Sequence, residues 1–217
     1  MKITKAAFSG SSTSIKGKPT LRLPEIAFIG RSNVGKSSLI NMLCTGAQKE
    51  TKGKELARTS ASPGKTIAIN HFLIDGKWYL VDMPGYGFAK LPQTQRKELA
   101  RMNAEFINKS EELATLFVLI DSRHSLQEVD LQFIISAARA GIPLAFIFTK
   151  ADKIGKNVLE KNITGIKKRL LEYWEELPPY FVTSAEKGTG RTEVLDYISE
   201  VLQIVKNKTI SSDPNNN

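Results

Sequence analysis

The stretch from Gly30 to Ser37 constrains the fold of this chain more than any other, because it reads Gly-Arg-Ser-Asn-Val-Gly-Lys-Ser. That spacing fits G-x-x-x-x-G-K-[ST], a loop whose backbone N–H groups surround nucleotide phosphates. An apolar run precedes it and a helical pattern follows it, which favours a phosphate loop over a glycine-rich turn before an ordinary helix. We expect phosphate contacts from the whole loop: Gly30, Arg31, Ser32, Asn33, Val34, Gly35, Lys36, Ser37 and Ser38. Lys36 would bridge the β- and γ-phosphates, and the Ser37 hydroxyl would ligate Mg²⁺.

The apolar runs of the chain predict an α/β fold. Six of them read as strands, and helical patterns separate most of them: 26–29, 67–74, 77–81, 114–120, 143–148 and 180–182. Such alternation predicts a six-stranded, mostly parallel sheet with helices on both faces, the architecture of a P-loop NTPase. Asp75-Gly76 is a hairpin signal and adds one antiparallel strand.

Composition predicts one domain with polar ends. A chain of 217 residues with 41% hydrophobic content can bury one sizeable core. We expect a flexible N-terminal arm over 1–23, the folded domain over 24–206 and a disordered polar tail over 207–217. No apolar run reaches the length of a membrane span, and the pattern of the first residues leads us to expect no secretory signal. Cys44 is the only cysteine, which excludes an internal disulfide and suits a cytoplasmic protein. Separately, we expect the protein to be a monomer.

The net charge of the chain does not by itself identify a binding partner. Lysine and arginine outnumber the acids 31 to 22, a net charge of +9. This balance favours a polyanion such as RNA, an anionic membrane face, or no more than solubility. The aromatic residues show no RNA-recognition pattern, so RNA contact would be mainly with the phosphate backbone.

Two segments after the phosphate loop predict a nucleotide-dependent switch. Residues 45–65 are basic and lack an apolar period, which indicates either a segment that folds over the γ-phosphate or a merely solvated loop. Thr66 at its end is placed to reach Mg²⁺, and Pro63, Gly64 and Lys65 precede it. Asp82 ends a buried strand, where an acid of the magnesium shell is expected, and the Gly85 N–H can approach a γ-phosphate.

The segment Thr149-Lys150-Ala151-Asp152 indicates which base is bound. Guanine presents two adjacent donors that one carboxylate can accept, whereas adenine would leave the Asp152 charge unpaired. Lys150 can lie across the base, and Thr149 can tie this loop to the phosphate loop. At the end of the last strand, Thr183, Ser184 and Ala185 complete the pocket, with the Ser184-Ala185 backbone donating to guanine O6.

These motifs, in order, resemble those of Ras-like P-loop GTPases of the translation-factor class. Within that class the chain resembles the EngB (YihA/YsxC) family of bacterial GTP-binding proteins, on four segments: 30–41, 62–66, 82–89 and the Asp-Ser-Arg-His at 121–124. The resemblance implies GTP and GDP as ligands, Lys36 on phosphate, Ser37, Thr66 and Asp82 around Mg²⁺, and Asp152 on guanine. Lys36, Thr66 and Gly85 form the expected catalytic group. It also implies a role in assembly of the large ribosomal subunit, with a link to cell-division septation, and ribosomal RNA would account for the positive charge.

One departure from Ras bears on the rate of hydrolysis. Tyr86 follows Gly85 where Ras-like enzymes place the glutamine that orients the attacking water, so we expect slow intrinsic hydrolysis. Asn33 stands where a potassium-activated relative of this class has its cation ligand, which makes K⁺ a candidate activator. The isolated His71 and His124 are expected to be surface or structural residues.

The alternatives come from other functional classes. A P-loop kinase would not need Thr149–Asp152, and the chain has no evident lid segment. A membrane-associated GTPase would use a basic face on lipid, yet no lipidation motif or amphipathic anchor is present. A GTP-dependent scaffold with little hydrolysis remains open because of Tyr86.

Overall fold

The computed structural model describes residues 1–49, 56, 68–87 and 91–211. Its strands are β1 (Lys5–Ser12), β2 (Glu25–Gly30), β3 (Gln48–Lys49), β4 (Ile69–Ile74), β5 (Trp78–Asp82), β6 (Leu113–Asp121), β7 (Leu144–Thr149) and β8 (Tyr180–Val182). Its α-helices are α1 (Lys36–Leu43), α2 (Gln93–Lys109), α3 (Glu128–Arg139), α4 (Lys156–Leu170) and α5 (Arg191–Ser211), and short 3₁₀ turns cover Ile15–Gly17 and Ala151–Lys153.

The strands form one sheet in the order β3-β1-β4-β5-β2-β6-β7-β8. Every adjacent pair is parallel except those that β4 makes with β1 and β5. β4 alone therefore runs against the others, and the turn that reverses the chain is the predicted Asp75-Gly76, with φ of 50° and 68°. The mostly parallel sheet is confirmed, but the described residues hold eight strands where six were predicted.

Helices cover both faces of the sheet, as predicted. In β2 the residues alternate, so that Ile26 and Phe28 join a core layer beneath α1 and α5. Ala27 and Ile29 join the opposite layer beneath α2, α3 and α4. Because β2 is buried on both faces, the loop that follows its carboxyl end is anchored in the core of the domain.

The N-terminal segment 1–23, predicted to be a flexible arm, carries a strand of the sheet, β1, which lies between β3 and β4. β1 pairs with β4 over residues 6–12, with an irregularity between Phe8 and Gly10. Ile3 and Ala6 are buried in the core, and the Lys18 ammonium lies 2.8 Å from the buried Glu25 carboxylate. The sequence of 9–14 is rich in serine and is typical of a loop. The strand was not predicted because β1 is stabilised by pairing with β4, some sixty residues away in the sequence.

The C-terminal end also differs from its prediction. The folded domain was expected to end at residue 206, followed by a disordered polar tail over 207–217. Instead α5 continues through Ser211, and residues 212–217 lie outside the described part of the chain. Lysine has a high helix propensity even where it does not pack against the core. The helix can therefore continue beyond the last residue of its apolar pattern.

Candidate nucleotide-binding site

The phosphate loop has the conformation that its glycines predict. Gly30 ends β2, and a Cβ added to it would lie 2.9 Å from the Leu119 carbonyl oxygen. Gly35 caps α1 with φ of 103°, in the left-handed region that favours glycine. The chain thus turns sharply between the central strand and the N-terminus of α1, where free N–H groups and the helix dipole favour an anion.

Lys36 and Asp82 meet beside this loop. The Lys36 ammonium donates to the Asp82 carboxylate, and both side chains are largely buried, at 15% and 12% exposure. Asp82 ends β5 and pairs with Phe28 of β2, which sets its carboxylate next to the first turn of α1. Ser37 is the second residue of that turn. The structure therefore brings together the predicted phosphate cation and two of the three predicted metal ligands.

Gly85 lies against the phosphate loop. A Cβ added to it would lie 2.6 Å from the Gly30 carbonyl oxygen, so no side chain fits at this position. The next residue, Tyr86, donates its backbone N–H to the same oxygen at 3.2 Å. Gly85 therefore packs directly on the loop that is predicted to bind the phosphates.

The Tyr86 side chain turns away from the loop and packs on α3. Its hydroxyl donates to Asp130 Oδ1 at 3.0 Å, and its ring stacks on Phe133 with centroids 4.4 Å apart. The other Asp130 oxygen lies 3.3 Å from Arg31 Nε. Burial, followed by the Asp130 charge, raises the pKa of Tyr86 well above its usual value, so the phenol keeps its proton and acts as a donor. Burial likewise raises the pKa of Asp130, although Arg31 opposes the shift.

A cavity of about 180 Å³ opens beside the phosphate loop. The ends of β7 and β8 and the first turn of α1 surround it, through Gly35, Ser38, Leu39, Thr149, Lys150, Asp152, Lys153, Thr183, Ala185 and Glu186. Five of the predicted base-pocket residues line it, and Ser184 reaches it through Asp152. The carboxyl ends of parallel strands are where such folds bind ligands.

Asp152 is held as an oriented carboxylate in this cavity. Its Oδ1 accepts the Ser184 hydroxyl at 2.5 Å, and its Oδ2 lies 3.1 Å from the Lys153 ammonium. The Ser184 hydrogen bond, followed by that from Lys153, lowers the pKa of Asp152 below its usual value. An ionised carboxylate can accept from two adjacent donors of a ligand.

Thr149 joins the cavity to the phosphate loop, as predicted, and Lys150 makes a second such contact that was not predicted. The Thr149 hydroxyl donates to the Val34 carbonyl at 2.6 Å, and the Lys150 ammonium donates to the Asn33 carbonyl. A Cβ added to Gly35 would lie 3.6 Å from Lys150 Cε, so the Lys150 methylene chain passes over the loop.

The predicted backbone donors to guanine O6 are reduced to one. The Ser184 N–H already donates to the Thr189 carbonyl at 3.2 Å, which removes it as a donor to a base. Ala185 lines the cavity, so its N–H is the remaining candidate. Sequence could not distinguish the two amides because the bond to Thr189 depends on how the following turn closes.

Several predicted residues lie outside the described part of the chain. These are Pro63, Gly64, Lys65 and Thr66, together with most of the predicted switch over 45–66. Among the described residues, no group of three or more His, Cys, Asp or Glu side chains could hold a metal ion. His71 is buried on β4 with Nε2 3.5 Å from Glu25 Oε1, while His124 is exposed, so neither joins the site. Within the same residues no helix is long and apolar enough to cross a membrane.

Sequence reasoning missed two carboxylates that hold site residues in place. Asp130 fixes Tyr86 and Arg31, and Asp121 accepts the Lys150 ammonium at 3.0 Å. Asp130 gives no signal beyond its place in the first turn of a helix. Asp121 was visible as part of Asp-Ser-Arg-His, but that motif served only to mark a resemblance and was given no chemical role.

Comparison with known proteins gives the same picture of the whole chain. The family model of the 50S ribosome-binding GTPases matches residues 25–150. Probable GTP-binding protein EngB of Porphyromonas gingivalis is 53% identical over 208 residues, 96% of this chain and 100% of that protein. The protein with the same name in Bacteroides thetaiotaomicron is 51% identical over 209 residues, with the same shares.

Solved structures agree with this fold. A crystal structure of a probable GTP-binding protein engB superposes with a TM-score of 0.63 and 27% identity, over 82% of this chain and 98% of that one. Era, in complex with MgGDPNP and nucleotides 1506–1542 of 16S ribosomal RNA, gives a TM-score of 0.61 over 82% of this chain and 56% of its own. At 21% identity Era supports the fold alone.

Proposed function

This chain belongs to the EngB family of GTP-binding proteins and is a GTPase, and from that premise we propose that it is a slowly hydrolysing switch in assembly of the large ribosomal subunit. The observation that carries the proposal is the cavity that sets the Asp152 carboxylate beside the phosphate loop. The cavity with Asp152 can bind a base, while the adjoining phosphate loop can bind the phosphates of the same nucleotide.

Guanine is the base that this cavity suits. The Asp152 carboxylate would accept the N1–H and the exocyclic amino group together, and the Ala185 N–H would donate to O6. The Ser184 hydroxyl and the Lys153 ammonium already occupy other positions on that carboxylate and fix its direction. Adenine offers no such donor pair, so binding it would leave a desolvated charge without partners.

The phosphate end has the donors that Mg²⁺ prefers. A hydroxyl from Ser37 and a carboxylate from Asp82 are hard oxygen ligands, and Thr66 would add a second hydroxyl. When bound, Mg²⁺ neutralises charge on the β- and γ-phosphates. Lys36, which contacts Asp82 here, would turn its ammonium to the phosphates, and Gly85 would donate its N–H to the γ-phosphate. Water would attack in line, while the protein supplies position and positive charge.

The contacts of Tyr86 support slow hydrolysis. Its hydroxyl is engaged by Asp130 and its ring by Phe133, so in this arrangement position 86 offers no group that orients water. A GTP-dependent scaffold with little hydrolysis is the alternative that these contacts favour. The scaffold and the hydrolysing switch differ in one observable respect: GTP hydrolysis would release the partner of the switch but not the partner of the scaffold.

We expect hydrolysis in K⁺ to be at least about fivefold faster than in Na⁺ at equal ionic strength, because a cation at the β–γ bridge offsets charge that develops there. The exposed Asn33 would supply its ligand. Phosphate release at saturating GTP measures the effect. Asn33→Gly is the matched variant, since it removes the side chain without straining a backbone at φ of 62°, and it should abolish the difference. Equal rates in the two salts, with and without ribosomes, would rule out K⁺.

The distribution of charge supports a ribosomal RNA partner. Residues 1–66 contain 12 lysines and arginines and 3 acids, whereas residues 67–217 contain 19 of each. The whole excess therefore lies in the segment that includes the phosphate loop and most of the predicted switch. The affinity of a polyanion for this segment would therefore depend on which nucleotide is bound. Such a partner implies a cytoplasmic protein, and the link to septation would then be indirect.

Co-sedimentation tests this partner. With a non-hydrolysable GTP analogue, we expect large ribosomal subunits to retain at least about threefold more protein than with GDP, and binding to weaken as salt rises. Vesicles containing anionic lipid are the control for a charged surface without RNA. Equal retention in both nucleotides, or retention by the vesicles alone, would contradict the ribosomal role while leaving GTP binding intact.

A further inference from the structure

Asp121 lies beside the segment that is proposed to bind the base, and it contacts that segment through Lys150. It is the last residue of β6 and pairs with Thr149, the last residue of β7, so its carboxylate lies next to the segment that reads the base. It is 7% exposed. A buried carboxylate needs partners, and those of Asp121 lie on two different segments.

One partner is local and the other belongs to the base site. Asp121 Oδ1 accepts Arg123 Nε at 2.9 Å and the Arg123 backbone N–H at 3.1 Å. Oδ2 accepts Arg123 Nη2 at 2.8 Å and the Lys150 ammonium at 3.0 Å. Burial opposes ionisation, but the hydrogen bonds from Arg123 and Lys150 outweigh it and hold the pKa of Asp121 well below its usual range. The Asp121 carboxylate is therefore ionised at neutral pH.

Lys150 is held at its ammonium group by two acceptors that belong to different segments of the chain. Its ammonium donates to the Asn33 carbonyl of the phosphate loop and to Asp121. Its backbone has φ of 62°, which is uncommon for a side-chain-bearing residue, and the Thr149 carbonyl before it accepts both the N–H and the hydroxyl of Ser122. The Asp-Ser-Arg-His segment thus supports this loop twice, through the carboxylate and through the serine.

Without Asp121 the tip of Lys150 would keep only one neutral acceptor. A lysine side chain has four rotatable bonds, and its ammonium is strongly hydrated, so one carbonyl competes poorly with solvent. The methylene chain that lines the cavity would then sample positions in which it no longer covers the base. Ordering it again would reduce the free energy of binding.

We propose that Asp121 is a positioning residue for guanine nucleotides: it holds the Lys150 ammonium against the phosphate loop and so keeps the Lys150 methylene chain across the base. This rests on the proposed binding of GTP and GDP at the cavity. The base contact is made in both nucleotide states and throughout hydrolysis. Asp121 therefore acts on affinity and not on the chemical step.

The experiment measures the affinity and dissociation rate of GDP and the steady-state hydrolysis of GTP. Asp121→Ala should weaken GDP binding about tenfold, mainly through faster dissociation, while kcat stays within about twofold of the wild type. Arg123→Ala is the matched control: it removes the other partner of the same carboxylate, leaves the contact with Lys150, and should change affinity less than threefold.

A double variant separates positioning from a general loss of structure. Asp121→Ala combined with Lys150→Ala should bind GDP no more weakly than Lys150→Ala alone, because the carboxylate acts through that lysine. Asp121→Asn keeps the shape and one acceptor, should fold if the alanine variant does not, and should show a smaller loss of affinity. Wild-type affinity in both Asp121 variants, or additive losses in the double variant, would overturn the proposal. Absence of GDP binding by the wild type would instead overturn the proposed function.

Discussion

Asp152→Asn is expected to exchange guanine for xanthine as the preferred base. The amide can accept from N1–H but cannot accept from the exocyclic amino group of guanine, and its own NH₂ would face that group. Xanthine carries a carbonyl at the same position, which the amide can satisfy. Affinity for GDP should fall at least about a hundredfold, as expected when a buried polar pair is mismatched, and affinity for xanthosine diphosphate should rise. Thermal shift with GDP, ADP and xanthosine diphosphate measures the exchange.

The control for this variant is Asp196→Asn, the same chemical change at an acid on α5 whose side chain is 57% exposed. It should leave the order of nucleotides unchanged. Should Asp152→Asn keep the affinity of the wild type for GDP, Asp152 does not contact the base and the cavity described here is not the guanine site.

Lys36→Ala is expected to abolish GTP hydrolysis and to weaken GTP and GDP binding about a thousandfold or more. The variant loses the ammonium that is predicted to bridge the β- and γ-phosphates, and it leaves the largely buried Asp82 carboxylate without its Lys36 partner. That charge would repel the phosphates as well. Calorimetric titration with GDP and phosphate release from GTP give the two results, and circular dichroism reports the fold.

Lys156→Ala provides an unusually close control. Lys156 is also the first residue of a helix and also follows a glycine. Its side chain is 86% exposed, however, and the preceding Gly155 has φ of −66°, so no phosphate loop precedes it. Nucleotide binding should be unchanged in this variant. Hydrolysis by Lys36→Ala at a rate near that of the wild type would contradict the assignment of the loop.

The sequence was informative wherever the relevant chemistry is local. The phosphate loop, the Asp75-Gly76 turn and the segment Thr149–Asp152 each depend on a few consecutive residues, and the structure brings them to the predicted places. Parallel strands bring their carboxyl ends to one edge, so motifs far apart in sequence could be expected to meet.

The parts that sequence could not give depend on distant partners. β1 is stabilised by pairing with β4, and a stretch rich in serine and glycine carries no sign of that pairing. Slow hydrolysis was expected because Tyr86 stands in place of a water-orienting glutamine, but the hydrogen bond from Tyr86 to Asp130, 44 residues away, could not be foreseen. The same holds for Asp121 and Lys150, which are 29 residues apart.

The order of the strands has a consequence for how a nucleotide leaves. In the proposed complex the loop that follows β2, near the centre of the sheet, would bind the phosphates, whereas Ser184 and Ala185 follow β8, a three-residue strand at the edge of the sheet. Marginal strands fray more often than central ones. Brief opening at that margin would loosen the nucleoside while the diphosphate stays anchored, so departure would begin at the base. A partner that pulls on β8 could thereby hasten exchange without touching the phosphates.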